Sequence, residues 1–76
     1  MKPYGDGERQ SGVIAFESGE DYIRIRFKSG ATYLYTVEAT GEIEVRIMKM
    51  LALRGEGLTS YIGKYVKDAY ADKVED

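Results

Sequence analysis

Cysteine and histidine are both absent from this chain, and no run of apolar residues is longer than four, the longest being residues 13–16 and 50–53. Without cysteine no disulfide can brace the fold, and no thiolate can serve as a nucleophile or zinc ligand. Without histidine, imidazole bases and the triads built on them are excluded too. The ~20 apolar residues of a bilayer-crossing helix are missing, and no signal-like segment opens the sequence. The expectation is a soluble, cytoplasmic protein with no membrane contact. What is present fits one small globular domain: 76 residues, 43% of them hydrophobic and 32% charged. A chain of this size hides only about 60% of the surface its unfolded form exposes, so the core is small.

Residues 1–11 hold two glycines, the only proline and four charged side chains, with almost nothing apolar, and read as a flexible arm. From Gly12 the pattern changes to short runs of β-branched and aromatic residues bounded by Ser and Gly: Val13 to Glu17, Tyr22 to Lys28 and Ala31 to Val37. These predict three strands of an antiparallel meander. In the second, Ile23, Ile25 and Phe27 alternate with Tyr22, Arg24, Arg26 and Lys28, giving one apolar and one basic face. After Val37 the period becomes 3.6. Ile43, Ile47, Met50, Leu51 and Arg54 mark one stripe, with Val45, Met48 and Leu53 beside it. A helix from about Thr40 to Leu53 with unusually broad apolar coverage follows. Gly55-Glu56-Gly57 ends it, Thr59 is placed to cap a second helix over about Ser60 to Ala71, and residues 72–76 form a charged, frayed tail.

The fold class is therefore α+β, a three-stranded antiparallel meander followed by two helices packed on one face (βββαα), spanning residues 12–71. The expected core is Ile14, Phe16, Ile23, Ile25, Phe27, Tyr33, Tyr35, Ile43, Ile47, Leu51, Ile62, Val66 and Tyr70.

Two registers are open for the second hairpin. A two-residue turn at Ser29-Gly30 sets Arg26 opposite Tyr33 and Arg24 opposite Tyr35, an exposed aromatic and basic platform. A three-residue loop, Lys28-Ser29-Gly30, sets Ile25 opposite Tyr33 and Ile23 opposite Tyr35, and both tyrosines enter the core. Serine suits the first position of a two-residue turn poorly, whereas the longer loop needs positive φ only at Gly30, which favours the second register.

The hairpin from Ile23 to Tyr35, with its glycine and its Tyr-x-Tyr, resembles the KTSC domain, a small module named for the C-terminus of some lysyl-tRNA synthetases and also found as free-standing bacterial proteins. Gly55, Leu58, Thr59 and Ile62 fall on places matching that family's glycine-containing loop. Gly57 stands where an aromatic is usual, and Val37-Glu38 replaces the common Val-Pro. The resemblance covers about residues 12–70 and implies RNA binding only through the synthetase context.

Two surfaces are candidates for binding. Arg24, Arg26 and Lys28, with Tyr22, offer cations for phosphates and a ring on which a base could stack. Such residues also serve simply to solvate the outer side of a half-buried strand. The second surface is an anion patch at the start of the last helix, Thr59 and Ser60 with Lys64 and Lys67, although capping and a solvated helix face explain the same residues and are favoured. A net charge of −2 makes the chain a poor general nucleic-acid binder, so RNA affinity is expected to be weak and salt-sensitive. Glu42 and Glu44 diverge on a helix, and Glu20 and Asp21 lack apolar shelter, so no carboxylate pair is poised for catalysis. The sequence points to a non-catalytic binding module without cofactor or metal. Its partner is RNA, tRNA-like or single-stranded. The alternative is a protein partner or a second copy, held by the open sheet face or an edge strand.

Overall fold

The computed structural model describes residues 1–4 and 12–75. Strands β1 (Lys2–Pro3), β2 (Val13–Ser18), β3 (Tyr22–Phe27) and β4 (Thr32–Thr36) lead into helices α1 (Val37–Thr40), α2 (Glu42–Arg54) and α3 (Leu58–Tyr61). Helix α3 continues as a π-helical turn over Ile62–Val66, and β5 (Asp72–Val74) follows. The strands form one sheet in the order β1-β2-β3-β4-β5, every pair antiparallel.

The expected three-stranded meander is thus corrected to a five-stranded sheet, because two stretches expected to be loose supply its edges. Lys2 and Pro3 lie opposite Phe16 and Ala15; residues 5–11 of the expected arm lie outside the described residues. Asp72, Lys73 and Val74, placed in the tail by sequence, lie opposite Leu34, Tyr33 and Thr32. The reason is that a sheet edge recruits backbone, not side chains. The outer N–H and C=O groups of β2 and β4 need partners whatever the composition of the segment that supplies them, and proline is tolerated in an edge strand.

The central hairpin takes the three-residue loop. Phe27 N–H donates to the Ala31 carbonyl at 2.8 Å and Gly30 N–H to the Phe27 carbonyl at 2.9 Å. Gly30 sits at φ 103°, a conformation that a side chain would strain. Ile25 consequently faces Tyr33 and Ile23 faces Tyr35, as the turn chemistry predicts. The rings of Tyr33 and Tyr35 lie nearly parallel, 6.3 Å between centroids, and Tyr70 meets both edge-on at 4.9 and 6.4 Å. In β2 a bulge between Val13 and Ala15 turns the strand. Val13 therefore enters the core, and Ile14, expected there, is 44% exposed.

The single first helix expected from Thr40 is divided. Thr36 caps α1, its Oγ1 accepting from Ala39 N–H at 3.1 Å. Gly41, at φ 114°, then redirects the chain into α2. Two hydrogen bonds accompany the rotation that the helical layer adopts: the Thr40 hydroxyl donates to the Ala69 carbonyl at 2.6 Å, and Lys49 Nζ to the Glu20 carbonyl at 2.8 Å. In that phase Val45, Met48 and Ala52 are buried, and Ile43, expected in the core, is 66% exposed; Ile47 is half-buried. The last helix also begins earlier than expected. Gly57, not Thr59, is its N-cap, and Leu58 is fully buried. Leu58 N–H donates to the Tyr4 hydroxyl at 3.0 Å, so a residue of the expected loose arm satisfies the first donor of α3. Tyr4, Val13, Phe16, Ile23, Ile25, Tyr35, Val45, Met48, Ala52, Leu58, Ile62 and Val66 make up the buried core.

Two consequences for stability follow from buried tyrosine hydroxyls with opposite circumstances. Tyr4→Phe strands the Leu58 N–H in the core, and its expected cost is about 1–3 kcal/mol in urea denaturation. The Tyr35 hydroxyl is buried and has no hydrogen-bond partner among the described residues. Tyr35→Phe is therefore expected to raise stability at neutral pH by about 1 kcal/mol. Burial, reinforced by Tyr33, Tyr70 and Asp68, also pushes the Tyr35 phenol well above the ordinary tyrosine value of 10.0. The fold thus favours the neutral phenol, a contribution complete below pH 10 and lost as pH rises beyond it, where only the unfolded chain ionises. Denaturation curves at about pH 10 to 11.5 should show stability falling with a slope of up to about 1.4 kcal/mol per pH unit from this residue. That part of the slope should be missing in Tyr35→Phe.

Candidate functional site

The sheet's open face carries the first expected site. Because β3 side chains alternate, Tyr22, Arg24 and Arg26 project together, and Lys28 is exposed in the loop beyond them. The neighbouring strand changes their electrostatics. Glu17 of β2 lies directly opposite Arg24, and its Oε2 accepts from Arg24 Nη1 at 3.1 Å and from the Tyr22 hydroxyl at 3.4 Å. The Arg24 guanidinium also lies 5.8 Å from the centre of the Tyr22 ring. Tyr22, Arg24 and Glu17 therefore form one interlocked group, its cation matched by a carboxylate. On the other side of Arg24 comes Leu34, and then Asp72 on β5. The basic face seen along the hairpin is thus bordered by acids from strands on either side of it.

The second expected site is spread over a different side of the domain. Thr59 and Ser60 stand in the first turn of α3, Lys64 lies within the π-helical turn and Lys67 follows it. The leading N–H of that turn is already taken by Tyr4. Tyr65, expected on the buried stripe, is instead exposed, its ring 4.9 Å from that of Tyr61. Burial, then the Glu44 carboxylate, raises the Tyr61 phenol above its ordinary range, and Tyr61 packs partly buried against the core.

The carboxylates discounted as catalytic groups come closer together than their sequence positions indicate. Glu20 and Asp21 of the β2–β3 turn and Glu42 of α2 line one groove with Val37, Arg46 and Lys49. Its cations are engaged, Arg46 with Glu42 at 3.3 Å and Lys49 with the Glu20 carbonyl. Among the described residues no group of carboxylates could hold a metal ion, and no helix is long and apolar enough to cross a membrane.

The most exposed apolar surface belongs to neither expected site. Helix α2 buries Val45, Met48 and Ala52 and turns Ile43, Met50 and Leu53 outward, 66%, 51% and 71% exposed, with half-buried Ile47 between them. Leu53 and Met1 line one shallow depression with Phe16 and the polar Lys2, Glu17 and Ser18, so Met1 adjoins the apolar helix face across a mixed surface. Its signal in the sequence is the breadth of the helix's apolar coverage: two stripes share one helix, and only one can face the sheet.

Compared with protein-family models, with curated proteins and with solved structures, the chain matches none. The KTSC-like reading rests on the hairpin and loop residues alone.

The Glu17–Arg24 pair is half-exposed, so its energy is small although its effect on the local charge is not. A double-mutant cycle with Glu17→Ala and Arg24→Ala should give a coupling of about 0.2–1 kcal/mol at low salt, falling as salt is added.

Proposed function

We propose that this chain is a non-catalytic association module that docks on protein through the outward face of α2. The observation that carries this reading is the exposure of Ile43, Met50 and Leu53 on a 13-residue helix whose opposite face is core. Single exposed apolar side chains are ordinary on protein surfaces, but three on one helix face, adjoined by Met1, make a patch of the kind that marks interaction sites. Ile43, Ile47 and Met50 stand at i, i+4 and i+7, a spacing recurrent in helices recognised by proteins, with Leu53 at i+10.

The RNA reading has less behind it. Arg24, its central cation, is paired with Glu17, and the chain's net charge of −2 opposes phosphate binding. Lys28, exposed at the hairpin tip, is where that reading retains support.

Photo-crosslinking in cells separates the two. A benzophenone amino acid in place of Leu53 should yield protein adducts, and the same group in place of Lys28 should yield none with RNA. Adducts with RNA from position 28, and no protein adduct from position 53, would overturn the association reading.

A further inference from the structure

Resting on that reading, we infer that the partner of α2 is a second copy of this chain, docked antiparallel about a two-fold axis passing between Ile47 and Met50. The outward ridge of the helix reads Ile43, Ile47, Met50 and Arg54, with spacings of four, three and four. That order of spacings is the same in both directions. Laid antiparallel on itself, the ridge brings Ile47 against Met50 of the second copy twice, and each Ile43 against the stem of an Arg54. A two-fold contact requires self-complementarity of this kind, since whatever one copy presents must fit the same surface reversed. The long stem of Arg54 can cover an isoleucine while its guanidinium stays in water.

Charge selects the antiparallel arrangement over the parallel one. Helix α2 carries Glu42 and Glu44 in its first turn and Arg54 in its last. Reversed, each Glu42, which already pairs with Arg46 of its own helix, comes beside an Arg54 of the second copy, and the helix dipoles oppose. In parallel, like charges meet at both ends and the dipoles align. The area sets the strength. Two exposed apolar side chains, one half-buried one and the Arg54 stem amount to a few hundred Å² per copy, against the roughly 800 Å² per partner of a standard stable interface. A contact this small is weak and reversible, populated at high local concentration rather than at dilution.

Sedimentation velocity from about 10 µM to about 1 mM tests this. Wild type should pass from monomer to dimer across that range. Met50→Glu and Ile43→Glu, both at exposed positions, should remain monomeric throughout, with circular dichroism verifying the fold. Glu42→Arg and Arg54→Glu should each weaken dimerisation about fivefold or more, because every contact occurs twice, and the double variant should recover to near wild type. Failure of the double variant to recover would overturn the antiparallel arrangement. A dimer indifferent to Met50→Glu and Ile43→Glu would place self-association on another surface and overturn the inference. A strict monomer at 1 mM whose position 53 still crosslinks to a different protein would refute the second copy and leave the association reading standing. A strict monomer with no such adduct would remove both.

Discussion

The length of one loop determines which side of this sheet is the inside. Side chains on a strand alternate, so a loop of two residues instead of three between β3 and β4 would turn Tyr33 and Tyr35 outward and bring Thr32, Leu34 and Thr36 inward. The helical layer packs on the face that those tyrosines define. Tyr70 closes over both rings, and Ile23, Ile25 and Tyr35 are the fully buried floor on which Val45 and Met48 rest. Gly30 permits that loop without strain, and in this respect a residue with no side chain specifies the positions of several large ones.

This part of the structure was legible in the sequence because it depends on local chemistry. Ser29 suits a short turn poorly and Gly30 suits a long one, and both facts are properties of neighbouring residues. The parts that were not legible depend on distant ones. Helix α2 has two apolar stripes, and the one that faces the sheet is the one whose Val45, Met48 and Ala52 join Ile23, Ile25 and Tyr35 in the buried cluster, contacts made with residues distant in sequence. Periodicity cannot weigh such contacts, and it points Ile43 into the core in place of Val45, Met48 and Ala52. The edge strands were missed for a related reason. Lys2–Pro3 and Asp72–Val74 have no alternation to detect, and they are ordered by the vacant backbone groups of β2 and β4.

The candidate binding surface shows the same division. Arg24 and its neighbours are a positive cluster when read along one strand, and the cross-strand register that sets Glu17 against Arg24 is a property of the sheet. The helix surface followed the reverse course. Its residues were all noted as apolar, and their excess over what one face can bury was the informative quantity. A helix that is apolar on more than half its circumference must cover the remainder against something, or leave it to water at a cost of about 25 cal/mol for each Å² exposed.

The bond from Leu58 to Tyr4 joins positions 54 residues apart. Contacts of such separation form against a large loss of chain entropy, and they are rewarded only after the segments between them have become compact. The hairpin of β3 and β4 closes a loop of three residues. The two contacts thus differ widely in the chain entropy they cost, the central hairpin little and the bond between Tyr4 and α3 much. Tyr4 and Leu58 are both buried, so this contact carries the N-terminal edge of the sheet into the same cooperative unit as the helices, and its loss is felt at both ends of the chain.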